Sequence, residues 1–414
     1  MNQFHSKTIW YAVAGLCGVT LLIVIGWVVL REPSSSSNQQ PARAATASPR
    51  ARREAPLYTP DDDAPRETLT NQVAESATTN AATIYQQAFA IFDALSKEEK
   101  DLIIGGRTNV DASVAAELCE KILPICNLMH QAAAVSNCDW GVEQPITSAT
   151  LLPYFSPCRN MARAAVWSVA HCRTNDPSAA VDDLVATSRL GQNISSPATL
   201  LGHLVDLAIQ GLVVYAVAGH ASMLASAGDT RLAELLNDAN YDEGLRRAFM
   251  QEADRMTRET DRLAAGPPEE VMRRLEELKT LADDSSRFQS MAPVQVIADM
   301  RQAAELERQY AQALDLPEAE YRAWLTSLDE SGKTNPFIGR LTAHEQAVIK
   351  TQAVTVMSAM AVAGLAVMQG GPDALQSHPD PATGQPFAYT QTDDGFELES
   401  SFQVAQKPLK LPFK

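Results

Sequence analysis

The chain has 414 residues, of which 45% are hydrophobic and only 6% are aromatic. This apolar content is enough for a sizeable core, and the low aromatic share favours packed helices over a β-sandwich. Acidic residues outnumber basic ones by 50 to 34, which gives a formal net charge of −16. Because such a surface repels phosphate backbones, the composition argues against nucleic acid as a partner.

An uncharged apolar run, IWYAVAGLCGVTLLIVIGWVVL, occupies residues 9–30 and predicts a transmembrane helix. At 1.5 Å per residue it is long enough to cross a hydrocarbon core of about 30 Å. The alternative is a cleaved signal peptide, with small-residue cleavage sites at 42–44 and 45–47. The length of the run favours an uncleaved anchor, which leaves residues 1–8 in the cytoplasm.

The orientation of this anchor rests on two opposing arguments. Arg31, Arg43 and Arg50 follow the apolar run whereas Lys7 precedes it, and this charge balance alone places the bulk of the chain in the cytoplasm. A long C-terminal domain is commonly translocated regardless of nearby charges, and five cysteines after the anchor fit an oxidising compartment. We therefore expect a single-pass protein of the inner (cytoplasmic) membrane with an extracytoplasmic C-terminal part.

Residues 31–78 are rich in proline, serine, alanine and charge. Such a composition cannot offset the entropy of ordering, so it predicts a disordered linker. Its basic cluster at 43–53 suits contact with anionic headgroups, although a plain solvated linker explains the same residues.

The following segment, residues 79–371, reads as a helical domain. Residues 111–135 carry an apolar stripe that is interrupted by Pro124. Residues 160–194 then read as a helix, an Asn-Asp-Pro turn and a second helix with Pro177 in its first turn. An antiparallel hairpin of this kind is similar to one unit of a tetratricopeptide array, so we expect a TPR-like bundle.

Three later segments extend the helical pattern. Residues 198–224 are apolar nearly all round and predict a buried central helix. Residues 242–328 pair opposite charges at helical spacing and predict long helices of the coiled-coil kind. Their apolar seam is formed by Val271, Leu275, Leu278 and Leu281. The apolar helix at 353–368 is short for a membrane span, so we expect it in the soluble core.

Residues 372–414 predict a small C-terminal β-hairpin. Phe387 and Tyr389 alternate with polar residues, Asp394 and Gly395 supply a turn, and the alternation then resumes at Phe396. Because an isolated two-stranded hairpin is marginal in water, we expect this one to pack on the helical body.

The segment DPATGQPFAY at 380–389 resembles the C-terminal element of a large set of membrane-anchored helical proteins abundant in planctomycete bacteria. Residues 128–220 are similar to the helical core of the same family, with a Cys-Asp-Trp loop and an Asp-Pro hairpin turn. The resemblance implies a membrane-anchored helical protein, and the family has no assigned activity. The tail has a weaker likeness to pseudopilins, whose cleavable Gly-Phe junction and following Glu are missing here.

Motifs for catalysis or cofactor binding are not found in the sequence. SGKT at 331–334 lacks the first glycine of a phosphate-binding loop, and His344 has no second histidine at zinc-helix spacing. There is no Gly-x-Ser-x-Gly, no Gly-x-Gly-x-x-Gly and no Cys-x-x-Cys. The sequence therefore predicts no cofactor and gives no motif-based support for an enzyme.

Weaker candidates remain among the polar residues. His203 and Asp206 lie on one helix face, and with His220 they are candidates for a ligand cluster or an acid–base pair. The alternative is that they are ordinary residues of the core. In the tail, Asp380, Asp393 and Asp394 suit calcium by analogy with pseudopilins, and turn chemistry explains them without a metal.

Disulfide candidates follow from an antiparallel register of two helices. Residues at equal height then have numbers with a constant sum, and Cys119 with Cys172 and Cys138 with Cys158 both fit one register. In this register Cys126 faces Ser168 and remains free. The alternative is that all five cysteines are reduced core residues.

Three functions are compatible with these patterns. The first is a membrane-tethered helical scaffold that binds a protein partner. The second is an accessory component of a secretion or pilus-like machine, and the third is a hydrolase or lyase with its site in the helical body. A solvent-accessible pocket at His203 and Asp206 favours an enzyme, whereas a dry, packed interior favours a scaffold.

Overall fold

The computed structural model describes residues 80–106, 110–142, 153–281, 291–316, 318–332, 335, 337 and 342–414. The predicted transmembrane helix at 9–30 and the predicted linker at 31–78 lie outside the described residues. The described part is mainly helical and ends in a small antiparallel sheet, in agreement with the predicted fold class at this level.

The α-helices are α1 Ala81–Asp93, α2 Lys97–Ile104, α3 Ala112–Ala133, α4 Phe155–His171, α5 Pro177–Ile194, α6 Leu200–Gly219, α7 Ala221–Ser226, α8 Arg231–Asn237, α9 Tyr241–Ala265, α10 Pro268–Leu281, α11 Pro293–Ala313, α12 Glu318–Gly332 and α13 Thr342–Gly370. A 3₁₀ turn, Pro372–Ser377, follows the last helix.

Local capping explains where several helices begin. The Asn80 side chain accepts a hydrogen bond from the Ala82 backbone, and Ser96 forms a reciprocal capping box with Glu99. Asp176 caps α5 directly before Pro177 in its first turn. The predicted helix–turn–helix at 160–194 is therefore α4 followed by α5, and it is fixed by short-range chemistry.

The interruption that we expect at Pro124 does not occur, because α3 is continuous through this residue. A proline inside a helix removes one backbone hydrogen bond and destabilises it by about 3 kcal/mol. Ile122, Ile125 and Met129 are fully buried around it. Tertiary packing of this face offsets the local penalty.

Three large hydrophobic clusters and a small one between α6, α9 and α13 form the core of the described region. The first joins α1–α6 around Tyr85 and Trp140, and the second joins α4–α8 and α13 to the sheet. The third joins α9–α13 around Phe249 and includes Val271 and Leu275 of the predicted seam. Helices α6 and α13 pack against each other at the centre of this arrangement.

Among the described residues, Leu200–Gly219 and His344–Gly370 are long and apolar enough to cross a membrane by length and composition. In each of them, 61% of the most apolar window is buried inside the fold. Residues 353–368, expected in the soluble core, belong to the second of these helices.

The tail contains the predicted β-hairpin, formed by its first two strands, and a third strand that was not predicted. Strands β1 Ala388–Thr392, β2 Gly395–Val404 and β3 Lys407–Phe413 pair antiparallel in this order. The turn from β1 to β2 lies at Asp393 and Asp394, one residue before the predicted pair, because Gly395 already pairs with Thr392. The sheet packs on α13 and α6 and shares their hydrophobic cluster. A side chain on Gly364 of α13 would collide with the Phe413 ring, so this glycine lets β3 approach the helix closely.

Candidate functional site

His203 lies inside the helical body, and 2% of it is exposed. Its Nε2 lies 3.0 Å from the Thr351 hydroxyl. Because Thr351 donates its own proton to the Ala347 carbonyl at 2.9 Å, it accepts from His203 Nε2–H. A Cβ on Gly244 would lie 3.1 Å from the other ring nitrogen, which leaves no room beside it. Burial, with Arg247 adding to the effect, lowers the pKa of His203 to about 4, so its ring stays neutral.

Asp206 follows one turn later and is also buried. Gln210 Nε2 donates to its Oδ1 at 2.8 Å and to the Ser188 carbonyl at 3.0 Å. The Ser188 hydroxyl in turn donates to Gln210 Oε1 at 2.7 Å. Burial raises the pKa of Asp206 to about 6, against the lowering effect of hydrogen bonds from Gln210 and Ser195. A side chain on Gly191 would collide with the Asp206 carboxyl, which leaves no space for a ligand on that side.

The third candidate, His220, lies far from these two residues. It lies 17 positions after His203 along α6 and its C-cap, which corresponds to about 25 Å. The structure thus does not bring together the predicted cluster of His203, Asp206 and His220. The reason is helical geometry, because residues this far apart on one straight helix cannot converge.

His220 instead borders a shallow surface cavity of about 560 Å³ at the junction of α6 and α7. Lys414 forms one edge, held by hydrogen bonds of 3.1 Å to Ala218 and Ser222. Burial lowers the pKa of His220, and the neighbouring His171 lowers it further. This cavity is open and shallow, unlike the enclosed pockets that bury small substrates.

The tail carboxylates are also separated from one another. Asp380 is buried and accepts hydrogen bonds from the Ser400 hydroxyl at 2.7 Å and the Ala382 amide at 2.8 Å. Asp393 and Asp394 are exposed in the β1–β2 turn, about 20 Å along the chain from Ser400. Asp380 thus stabilises a turn through its own hydrogen bonds, and Asp393 and Asp394 are surface residues of a different turn. Within the described ranges, no group of three or more potential ligands has the geometry to hold a metal ion.

The cysteines divide into one bridge and three free thiols. Cys119 of α3 and Cys172 at the end of α4 form a disulfide with a Cα–Cα distance of 5.6 Å, as the antiparallel register predicts. Cys126 is free and contacts Ser168, again as the register requires.

The predicted pair Cys138–Cys158 is wrong, because both residues are free thiols. The register argument applies only while both segments are helical, and α3 ends at Ala133. Cys138 lies five residues beyond that point, in a loop that returns to α1 through a hydrogen bond of 2.9 Å from the Asp139 amide to Asn80.

A buried network around Asp183 was not found by sequence reasoning. Its carboxylate accepts from His130 Nε2 at 2.8 Å, Ser168 Oγ at 2.9 Å and Arg173 Nε at 3.1 Å. The network joins α3, α4 and α5 beside the disulfide. Burial and the nearby Asp183 raise the pKa of the Cys126 thiol. A raised pKa disfavours the thiolate, so Cys126 has the character of a buried structural thiol.

A second buried pair also escaped prediction. His344 Nε2 lies 2.8 Å from Glu307 Oε2, and both side chains are more than nine-tenths buried. The imidazole ring stacks on Phe249 with a centroid distance of 5.0 Å. The sequence offers one signal for such pairs, a charged residue within an apolar helical stripe, but the partner depends on how the helices dock.

Comparison with known proteins finds no matching family, no similar curated protein and no similar solved structure. The histidine and carboxylate groups of the interior are used in packing and hydrogen bonding within the fold. His203 and Asp206 in particular lack the open, solvent-accessible pocket that a catalytic pair needs.

Proposed function

We propose that this protein is a membrane-tethered helical scaffold that presents its outer surface to a protein partner. In this proposal residues 9–30 anchor the chain in the inner membrane and residues 31–78 tether the folded part. The stacked hairpins of α3–α6 act as a TPR-like surface. The pseudopilin likeness of the tail gives no observation that favours a secretion role over this one.

The proposal rests on the observation that His203 and Asp206 are enclosed by neighbouring residues of the core. A catalytic pair at this place requires an opening through which substrate and water enter. His203 is instead enclosed by Thr351 and Gly244, and Asp206 by Gln210 and Gly191. An active site here would require the helices to separate, so the outer surface is the better candidate for function.

The disulfide supports an extracytoplasmic location. Cytosolic thiols are kept reduced, whereas bridges persist in oxidising compartments. Cys119 and Cys172 form a bridge across two packed helices. A chain that emerges outside the inner membrane meets these conditions.

Site-specific photo-crosslinking in living cells tests the scaffold. A photoreactive amino acid replaces Val294, which is 77% exposed, or Leu201, which is 42% exposed, and Ile122 serves as a fully buried control. We expect one discrete adduct from at least one exposed position and none from the control. The scaffold would be contradicted if no exposed position gave an adduct. It would also be contradicted if the adduct formed without ultraviolet light.

Cysteine accessibility tests the orientation separately. A thiol-reactive reagent that cannot cross the membrane should label an added cysteine at Thr390 in intact cells, because this residue is exposed on β1. Labelling that appears only after lysis would place the folded part in the cytoplasm. That result would contradict the orientation and would not affect the crosslinking test of the scaffold.

A further inference from the structure

Two arginines on α4 have no acidic partner among the residues that the structure describes. Arg159 and Arg163 are one helical turn apart, so their Cβ atoms lie about 6 Å from each other on the same face. Both side chains are half-buried. Within the described part of the chain, neither guanidinium makes a hydrogen bond or an ion pair with a carboxylate. In an acidic protein this is unusual, because acidic groups are available in excess.

Other arginines of this protein form ion pairs with carboxylates. Arg231 is held by Asp182 and Asp229, and Arg246 is held by Asp315. These ion pairs satisfy the guanidinium donors at the protein surface. Arg159 and Arg163 face each other instead as like charges, which repel.

Buried donors mark the same face of α4. Arg159 Nε is fully buried and has no acceptor among the described residues. Trp167, one turn beyond Arg163, buries an indole Nε1–H that likewise lacks an acceptor in the described ranges. The pKa of Arg163 is lowered by burial and by the neighbouring Arg159. A buried donor without an acceptor is destabilising, so this stripe is incomplete without a bound acceptor.

We propose that Arg159 and Arg163 form a binding site for a small phosphate-bearing anion. Guanidinium groups bind phosphate oxygens through two parallel hydrogen bonds, and two of them match the charge of a phosphate dianion. The net charge of −16 repels large polyanions, so the ligand is a small soluble ion or phosphomonoester and not a nucleic acid or an anionic membrane surface. The site is independent of the proposed scaffold function.

Calorimetric titration of inorganic phosphate into the full-length protein in detergent tests this site. Sodium chloride at matched ionic strength serves as the reference titration. We expect saturable binding with one phosphate per chain and a higher thermal unfolding midpoint in phosphate. The variant R159Q/R163Q should bind at least tenfold more weakly, and R159K/R163K should fall between it and the parent because lysine keeps the charge and loses the planar fork.

Arg189 provides a matched control. It lies on the neighbouring helix α5 and bonds to Gln192, with no carboxylate partner among the described residues. R189Q should bind phosphate as the parent does. The thermal midpoint of each variant without phosphate shows whether it is folded, and R163Q should not lose stability there because it removes a repulsion.

Three results would overturn the site. The first is an absence of saturable binding to the folded parent, and the second is binding by folded R159Q/R163Q within twofold of the parent. The third is binding only to vesicles that contain phosphatidic acid and not to inorganic phosphate, which would identify a membrane surface as the ligand.

Discussion

The opposite pKa shifts of His203 and Asp206 predict that two pH dependences cancel in the parent protein. The pKa of His203 falls from an ordinary 6.5 to about 4 in the folded state. The unfolded chain therefore holds more protons between these values, and this contribution to stability is complete above pH 6.5 and is lost as pH falls to 4. A shift of this size corresponds to about 3 kcal/mol.

Asp206 acts in the opposite direction over nearly the same range. Its pKa rises from 3.8 to about 6 in the folded state. The folded protein then holds the extra proton, so this contribution is present below pH 3.8 and is lost as pH rises through 6. Its size is also about 3 kcal/mol, so the two effects nearly offset each other between pH 4 and pH 6.

Single substitutions should reveal each contribution. Relative to the parent, D206N should gain about 3 kcal/mol of unfolding free energy as the pH rises from 4 to 6.5, since only the histidine effect remains. H203Q should lose a similar amount over this range, and the double variant should follow the parent. Urea unfolding followed by far-ultraviolet circular dichroism, in one detergent throughout, gives these free energies.

The comparison with the parent removes the background from surface carboxylates, because that background is common to all four proteins. If D206N and H203Q both keep the pH dependence of the parent, the two groups titrate as they do in water. In that case the sealed interior described for α6 is wrong, and an accessible site must be considered again.

Deletion of residues 1–33 should release a soluble folded protein, and a truncated chain that stays with membranes after a high-salt wash would contradict a single anchor. Replacing both Cys119 and Cys172 by alanine should lower the unfolding free energy by about 4 kcal/mol, as expected for a bridge spanning 53 residues. Dithiothreitol should destabilise the parent and not this variant, and an unaffected parent would exclude the bridge. Gly364→Ala should destabilise by about 1 to 3 kcal/mol through its collision with the sheet. The control Gly211→Ala, which has open space beside it on α6, should stabilise by about 0.5 to 1 kcal/mol, and equal effects would refute close packing at the sheet.

Elements with local signals were predictable from the sequence. The turn between α4 and α5 follows from Asp176 and Pro177, whose capping and backbone preferences act within a few residues. The disulfide followed from a longer-range argument, but one that uses only the regular rise of two antiparallel helices. The turn between β1 and β2 was predicted to within one residue, because its position at Asp393 and Asp394 also depends on how Gly395 pairs with Thr392.

Features that depend on docking were not predictable. Strand β3 was missed because Pro408 and Pro412 argue against a strand, and prolines are tolerated here only because β3 is at the edge of the sheet. The pairing of His344 with Glu307 joins α13 to α11, and no spacing rule reports it. The sequence shows that Arg159 and Arg163 are one helical turn apart. Only the structure shows that no described carboxylate lies beside them.

The bridge between Cys119 and Cys172 also determines how the protein responds to proteolysis. It closes a ring of chain that contains the end of α3, all of α4 and the segment between them. A protease that cuts once inside this ring leaves both pieces covalently joined, and they separate only after reduction. Reassembly of a cut molecule is then intramolecular, so it does not depend on protein concentration. In the proposed extracytoplasmic location, a single cut inside this ring would therefore leave the packed helices in place.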